Sequence, residues 1–366
     1  MNLILNTRLD KDIQKMFYPF NLILKLQLSS KYSIKDDCIT TNGVKYYILA
    51  FLNVCFIIST NMWVFFLTAE TFFIIILPAL RCIGLVITFV LSIVHRCNNV
   101  LLVLIIQDIH RCIDISKTTR SIIIWNWITV FVVFSCDLLI YLLFSRAIKF
   151  LAYMNVICEV FICSIDVDLV YGIRILVLLM KYLDGWTVIV LRMNVGEDID
   201  RRYCMLLLES YRNILRAFNL FKKLSKVLVL YRTMNAFGRN LGYLQNAIRI
   251  IKTKFLQRRD NVNWIYCVVM SVWIVKYMSI IILQSVYCEK FYIAVEKAEA
   301  ACIQRMMNVN CSKKHRRLFK SVLRENRSSS IKMRACGLFN VDATLPLSTM
   351  ALFTNYAFVL LQFAFL

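Results

Sequence analysis

Apolar residues run along this chain in blocks of about twenty, separated by blocks that are polar and basic. A helix needs about 20 consecutive, mostly apolar residues to cross a bilayer, and six blocks reach that length. They cover residues 46–67, 72–94, 122–144, 155–180, 263–284 and 345–366. The chain holds 8 Gly and 3 Pro in 366 residues, too few for the turns of a β-rich fold. The pattern predicts an all-α, polytopic membrane protein, because a helix satisfies its own backbone polar groups in lipid.

Lys and Arg orient the spans, since cytoplasmic loops carry an excess of both. Residues 1–45 hold Arg8, Lys11, Lys15, Lys25, Lys31, Lys35 and Lys45, which places this segment in the cytosol. Its apolar stretch "MFYPFNLILKLQL" contains Lys25 and follows Asp10, Lys11 and Asp12, so it is not built as a signal peptide. The segment 286–343, with "CSKKHRRLFKSVLRENRSSSIKMR" at its centre, is more basic still and belongs on the same side. Five spans between the two segments would put them on opposite sides, so one more crossing is needed. The stretch 181–262 has room for it, and 224–248 is its least polar window. Arg232 and Arg239 fall in that window, and each would cost about 2.5–3.5 kcal/mol at mid-bilayer on insertion scales. They are tolerable if they snorkel or face a protein interior or a wet cavity. Two other readings stay open: an amphipathic helix lying on the membrane, and a split of 150–191 into two short spans around "DVD".

Seven spans give a cytosolic N-terminus and an extracellular C-terminus, with the last helix finishing at the outer face. The predicted division is a cytosolic segment at 1–45, four helices of a ligand-binding bundle over 46–180, and a cytosolic helical linker at 181–223. Two further spans follow over 224–285, then a basic cytosolic anchor segment at 286–343 and a final helix at 344–366.

Composition agrees with this class. Hydrophobic residues make up 60% of the chain and the mean hydropathy is +0.65, well above a soluble domain. The formal net charge of +22 sits mostly between the apolar runs, where it reads as cytoplasmic loops facing anionic membrane lipid rather than as a nucleic-acid surface. Of the 14 Cys, Cys55, Cys82, Cys136, Cys158, Cys163 and Cys267 fall inside apolar runs and no CxxC occurs, which suits buried small hydrophobes. His95, His110 and His315 are far apart, without ligand partners at metal spacing. The sequence shows no nucleophile–base pair or phosphate loop. It calls for no enzyme activity, cofactor or metal.

Ionisable residues inside the apolar runs change the picture. They are Arg81, Asp137, Glu159, Asp166, Asp168, Arg174 and Lys276. Such residues face a bundle interior or a cavity, and pair there. Each can be a structural ion pair or part of a ligand cavity. The pocket candidates are Trp127, Asp137, Tyr141, Glu159, Asp166, Trp273 and Tyr277, whose aromatic members could stack on a sugar or an alkaloid.

The last block carries a motif. From Ala335 the chain reads "ACGLFNVDATLPLSTMALFTNYAFVLLQF". Tyr356, five apolar residues, Gln362 and Phe363 follow Cys336, Gly337, Phe339 and Asp342. This resembles the C-terminal signature of the insect gustatory receptor family, over residues 335–366. The sequence departs at Asn355, where that family has Thr before the Tyr; Thr354 is displaced by one. The resemblance implies a ligand-gated, non-selective cation channel of four identical or related subunits. It would lie in the plasma membrane of gustatory receptor neurons, at the dendrite, and be opened by a small-molecule tastant. It also implies that the last helix lines the pore. There Gln362 would offer neutral amides to a cation, Val359 and Phe358 a dewetting constriction, and Asn355 the same face seven residues earlier. Tyr356 and Phe363 would serve packing. Without the upstream match, Gln362 and Tyr356 read simply as polar-tipped residues at headgroup level.

Two other classes can be weighed. A G-protein-coupled receptor has seven spans but an outside N-terminus, and this chain shows neither Asp-Arg-Tyr after its third span nor NPxxY in its last. A transporter favours Gly or Pro at mid-membrane, for which Pro78 and Gly84 are the one hint.

Overall fold

The computed structural model describes residues 8–68, 72–147, 158, 160–193, 201–257, 263–307, 311–328 and 332–365. The described chain is mostly helical. In order it forms α1 (Lys11–Leu26), β1 (Ser33–Lys35), β2 (Cys38–Thr40), α2 (Val44–Thr68), α3 (Phe72–Val94), α4 (Arg96–Cys112) and α5 (Ser116–Ala147). There follow α6 (Ser164–Arg192), α7 (Arg201–Gln257), α8 (Asn263–Met306), α9 (Lys313–Ser328), β3 (Arg334–Ala335), β4 (Phe339–Asn340) and α10 (Thr344–Phe365).

The apolar runs at 46–67, 72–94, 122–144, 263–284 and 345–366 lie on α2, α3, α5, α8 and α10. The run 155–180 falls partly on α6 and partly outside the described residues, and the window 224–248 lies inside α7. By length and apolarity alone, four described helices could cross a membrane, or five if α3 and α4, bent by 68° at their junction, act as one. The crossing segments of α2, α5 and α10 bury only 17%, 22% and 17% of their residues. Broad exposed apolar faces of this kind need lipid or other protein around them.

The boundaries predicted at 223/224 and 285/286 fall within continuous helices. At 57 residues α7 is about 85 Å long, and the 44 residues of α8 make about 66 Å. Both far exceed the roughly 30 Å of a bilayer core. No Pro or Gly stands at either boundary, and a helix does not end merely because its surroundings change. The described part of the predicted N-terminal segment, residues 8–45, is built into the bundle too. α1 packs on α5 and α6 through Ile13, Met16, Phe17, Phe20 and Leu24, the apolar stripe of an amphipathic helix. Asn126 donates from Nδ2 to the Met16 carbonyl (2.8 Å), and Gln27 from Nε2 to that of Val160 (2.8 Å). A bidentate pair between Arg111 and Asp10 (2.8 and 2.9 Å) ties α4 to the start of α1.

Far from the charged positions of the spans, α6, α7, α8 and α9 share an aromatic core. Trp186, Tyr211, Phe218, Phe291 and Phe319 are fully buried there. Trp186 donates from Nε1 to the Leu207 carbonyl (2.9 Å), and Tyr211 donates to Asn326 Oδ1 (2.6 Å). Of the described cysteines in apolar runs, Cys158 and Cys163 are buried and Cys82 is half-buried, while Cys55 and Cys136 lie exposed on α2 and α5. Elsewhere Cys204, Cys288, Cys302 and Cys311 are buried, Cys38 is half-buried, and Cys97, Cys112 and Cys336 are exposed.

Candidate functional site

The charges predicted within the spans sort into two groups, because alternate positions on a helix face different neighbours. Asp166 of α6 points toward α7 and α8, while Asp168 points toward Lys31, in the segment between α1 and β1. Asp166 pairs with Arg232 of α7 and Lys276 of α8, at 2.7 Å each. Lys276 also pairs with Asp137 of α5. One ammonium thus bridges carboxylates from two helices, and it lies 4.7 Å above the Trp273 ring. Arg239, one heptad beyond Arg232, donates to Asn235 Oδ1 (3.0 Å) and to the Tyr277 hydroxyl, and stands over the Tyr277 ring. The rings of Trp273 and Tyr277 stack at 5.7 Å.

These side chains surround a cavity with room for one or two waters, walled further by Arg81, Ile162 and Ile165. Arg232 and Arg239 are 8% and 2% exposed, which removes the mid-bilayer objection to them: they face protein. The sequence allows both in a span on that condition, a protein interior, but does not single them out as site residues. Their spacing of seven, with Asn235 between, was the signal that they share one face.

Of the pocket candidates, Asp137, Asp166, Trp273 and Tyr277 come together here. Trp127 does not. It is 43% exposed, stands against Tyr18 of α1, and lies ten residues, about 15 Å, along α5 from Asp137. Tyr141 belongs to α5, but its side chain is outside the described residues, as is Glu159 altogether.

Asp168 pairs with Lys31 at a second and larger cavity between α3, α4, α6 and α7, lined also by His95, Asn99, Tyr171 and Gln284. The Lys31 ammonium lies 5.1 Å from the centre of the Tyr171 ring. Arg174 donates from Nε to Asn126 Oδ1 (2.6 Å), so it braces α6 against α5.

The motif residues have distinct local causes. Cys336 and Gly337 take left-handed backbone angles (φ 49° and 82°) in the turn between β3 and β4, which suits a glycine. Phe339 packs against the core. Asp342 starts α10: its Oδ1 accepts from the Thr344 amide (3.0 Å) and hydroxyl (2.6 Å). The Tyr292 hydroxyl fastens the hairpin to α8, donating to the Val341 carbonyl (3.0 Å) and accepting from the Met333 amide (2.9 Å).

Beyond Asp342, α10 packs on α7 and α8 by a stripe of Leu345, Thr349, Phe353, Ala357 and Leu360. Tyr356 meets Phe237 edge to face at 5.6 Å. Asn355, Phe358, Val359, Gln362 and Phe363 lie off that stripe and are exposed in the single chain.

No family model and no curated protein matches the sequence. Solved structures do match the fold. The insect olfactory receptor OR5 from Machilis hrabei superposes with a TM-score of 0.69 at 12% identity, over 96% of this chain and 100% of that one. The same receptor in complex with eugenol superposes at 0.64 over the same shares, also at 12% identity. This chain therefore has the fold of a multi-helix insect receptor.

Proposed function

We propose that the protein is a chemosensory receptor of the gustatory kind that acts as a ligand-gated, non-selective cation channel of four subunits. The observation that carries the proposal is the likeness in fold to an insect olfactory receptor across 96% of this chain. That receptor's complex with eugenol supports a small organic ligand here. The C-terminal resemblance directs the choice toward taste.

In this reading α2, α3, α5, α6, α8, α10 and the middle of α7 are the seven spans, with the N-terminus inside and the C-terminus outside. The remainder of α7 and α8, together with α9, forms a cytosolic anchor whose basic surface faces lipid headgroups. The exposed face of α10 lines a pore shared by four chains, identical or related. Four Gln362 amides replace part of a cation's hydration without holding it, and Val359 and Phe358 close the path by dewetting.

The tastant enters the cavity between Asp137, Asp166, Trp273 and Tyr277. Its present size admits only water, so a ligand binds a wider form and shifts the population toward it. The receptor works in the plasma membrane of gustatory receptor neurons. Recording currents from Gln362→Ala in a non-neuronal cell tests the pore assignment. Conductance or ion selectivity should change while ligand half-saturation stays put. A change confined to surface expression would make Gln362 structural. Tags on both ends test the topology, and an extracellular N-terminus would overturn it.

A further inference from the structure

The cavity around Lys31 and Asp168 is the roomier of the two, with space for about three to five waters. Its lining fixes its level in the bundle. Ser92 and His95 lie where the apolar run of α3 stops at 94, Leu224 where the window in α7 begins, and Gln284 where the run of α8 ends. Three helices thus set the cavity at one height, the headgroup boundary on the side of the basic segments.

Its interior is polar and incompletely satisfied. Asn99 and Gln284 are 6% and 5% exposed, and neither side-chain amide has a hydrogen-bond partner among the described residues. Buried amides in native proteins are paired, so two that open on one cavity call for an occupant. The charges inside are matched or absent. Lys31 pairs with Asp168. Burial first, and then the charges of Lys223, Lys226 and Lys31, hold the His95 imidazole below its ordinary pKa, so it is neutral at pH 7.

The rim differs from the interior. Lys223 and Lys226 are exposed on either side of the lining residues Leu224 and Ser225, and their charge reaches His95. On α3, Val90, Ile93 and Val94 are exposed beside the lining residues Leu91 and Ser92. Free amides within, ammonium groups at the rim and an apolar surface alongside match the three parts of one class of molecule.

We infer that this cavity holds the headgroup of an inositol phospholipid from the cytosolic leaflet. The hydroxylated ring enters the cavity, where each hydroxyl can both donate to and accept from an amide. The phosphate meets Lys223 and Lys226, as in basic pockets between spans on the cytoplasmic side. The acyl chains lie along Val90, Ile93 and Val94. A choline or ethanolamine headgroup would bring a cation to the lysines, and a serine headgroup has no hydroxyl for the amides. A soluble polyol phosphate shares the headgroup chemistry but has nothing to lay along α3. The leaflet rests on the topology proposed above, which the terminal tags test; binding does not, and it is read without any current.

The test is thermal unfolding of the full-length protein in detergent with dioctanoyl phosphatidylinositol, dioctanoyl phosphatidylserine of the same net charge, or soluble inositol 1-phosphate. The inositol lipid should raise the midpoint at about tenfold lower concentration than either comparator, the worth of one or two hydrogen bonds. Asn99→Leu and Gln284→Met remove the amides at similar volume. Each should weaken the inositol lipid by up to about tenfold and leave the serine lipid unchanged. Lys223→Gln and Lys226→Gln should weaken both lipids alike. Where an amide variant does not fold, the order of the three compounds on the wild type decides alone.

The inference is overturned if no compound shifts the midpoint, or if the serine lipid acts as well as the inositol lipid, since charge alone would then explain binding. It is overturned too if the inositol lipid keeps its full effect in both amide variants. Should inositol 1-phosphate match the lipid, the site belongs to a soluble polyol phosphate and the lipid falls.

Discussion

Asp166→Asn isolates the charge cluster with little change in volume. The wild-type carboxylate is 6% exposed and lies 2.7 Å from both Arg232 and Lys276. Removing its charge leaves Arg232 buried with no carboxylate of its own, and leaves Lys276 with Asp137 alone. Breaking one partner out of a buried pair costs about 3–5 kcal/mol, because the partner's desolvation is no longer offset. Lys276→Met should cost about as much, since it leaves Asp137 and Asp166 facing each other across the cavity. The double variant removes one charge of each sign and should lose less than the two singles combined. The expected coupling is about 0.5–3 kcal/mol, the range for residues in one network. The assay is thermal or denaturant unfolding of the purified protein in detergent, with surface expression as a cellular check. Losses that add to within about 0.5 kcal/mol would refute the shared network. A single-variant loss below about 1 kcal/mol would mean that water enters freely enough to screen the charges.

Three further predictions concern other parts of the molecule. A Cβ at Gly84 would run into the Tyr231 ring, so Gly84→Ala should cost about 1–3 kcal/mol in unfolding free energy, and Tyr231→Leu should restore part of it. Tyr292→Phe strips the buried Met333 amide of its acceptor and should lose about 1–3 kcal/mol, read by melting or by surface yield. The hydrogen bond from Arg111 holds the Asp10 carboxyl below its ordinary range, against a smaller opposing effect of burial. A depressed carboxylate stabilises the fold above its unfolded value of about 3.9 and loses that contribution as pH falls through the lower folded value. Both side chains are more than a third exposed, so screening limits the pair to about 0.2–1 kcal/mol. Arg111→Ala should flatten stability against pH only below about pH 4, and the effect should shrink in high salt.

The sequence made the element type legible because apolar runs of bilayer length are a strong and local signal. It left helix ends illegible where no Gly, Pro or cap marks them. So the extent of α7, through polar and apolar surroundings alike, could not be read. The pocket candidates show the same limit. Asp137, Asp166, Trp273 and Tyr277 were legible as intramembrane oddities, and helices that pack together bring such oddities to one place. Trp127 carried the same composition signal, but its position on α5 turns it toward Tyr18. Composition cannot supply rotation about a helix axis. Gly84, which with Pro78 made the hint of a transporter, has a local cause instead: the Tyr231 phenol occupies the space where a side chain would be.

The parity of the spans and the buried cluster are one problem seen twice. An inside position for both basic segments demanded a crossing where Arg232 and Arg239 made crossing costly. The fold meets that cost by placing both arginines against α6 and α8, where Asp166 and the Tyr277 hydroxyl take up part of their charge. Replacing Arg232 and Arg239 together by Leu should ease insertion, raising the yield of membrane-inserted protein, while stripping Asp166 of one of its two cationic partners and lowering the unfolding midpoint in detergent. If the midpoint holds, the pair between Asp166 and Arg232 contributes nothing to holding α7 against α6.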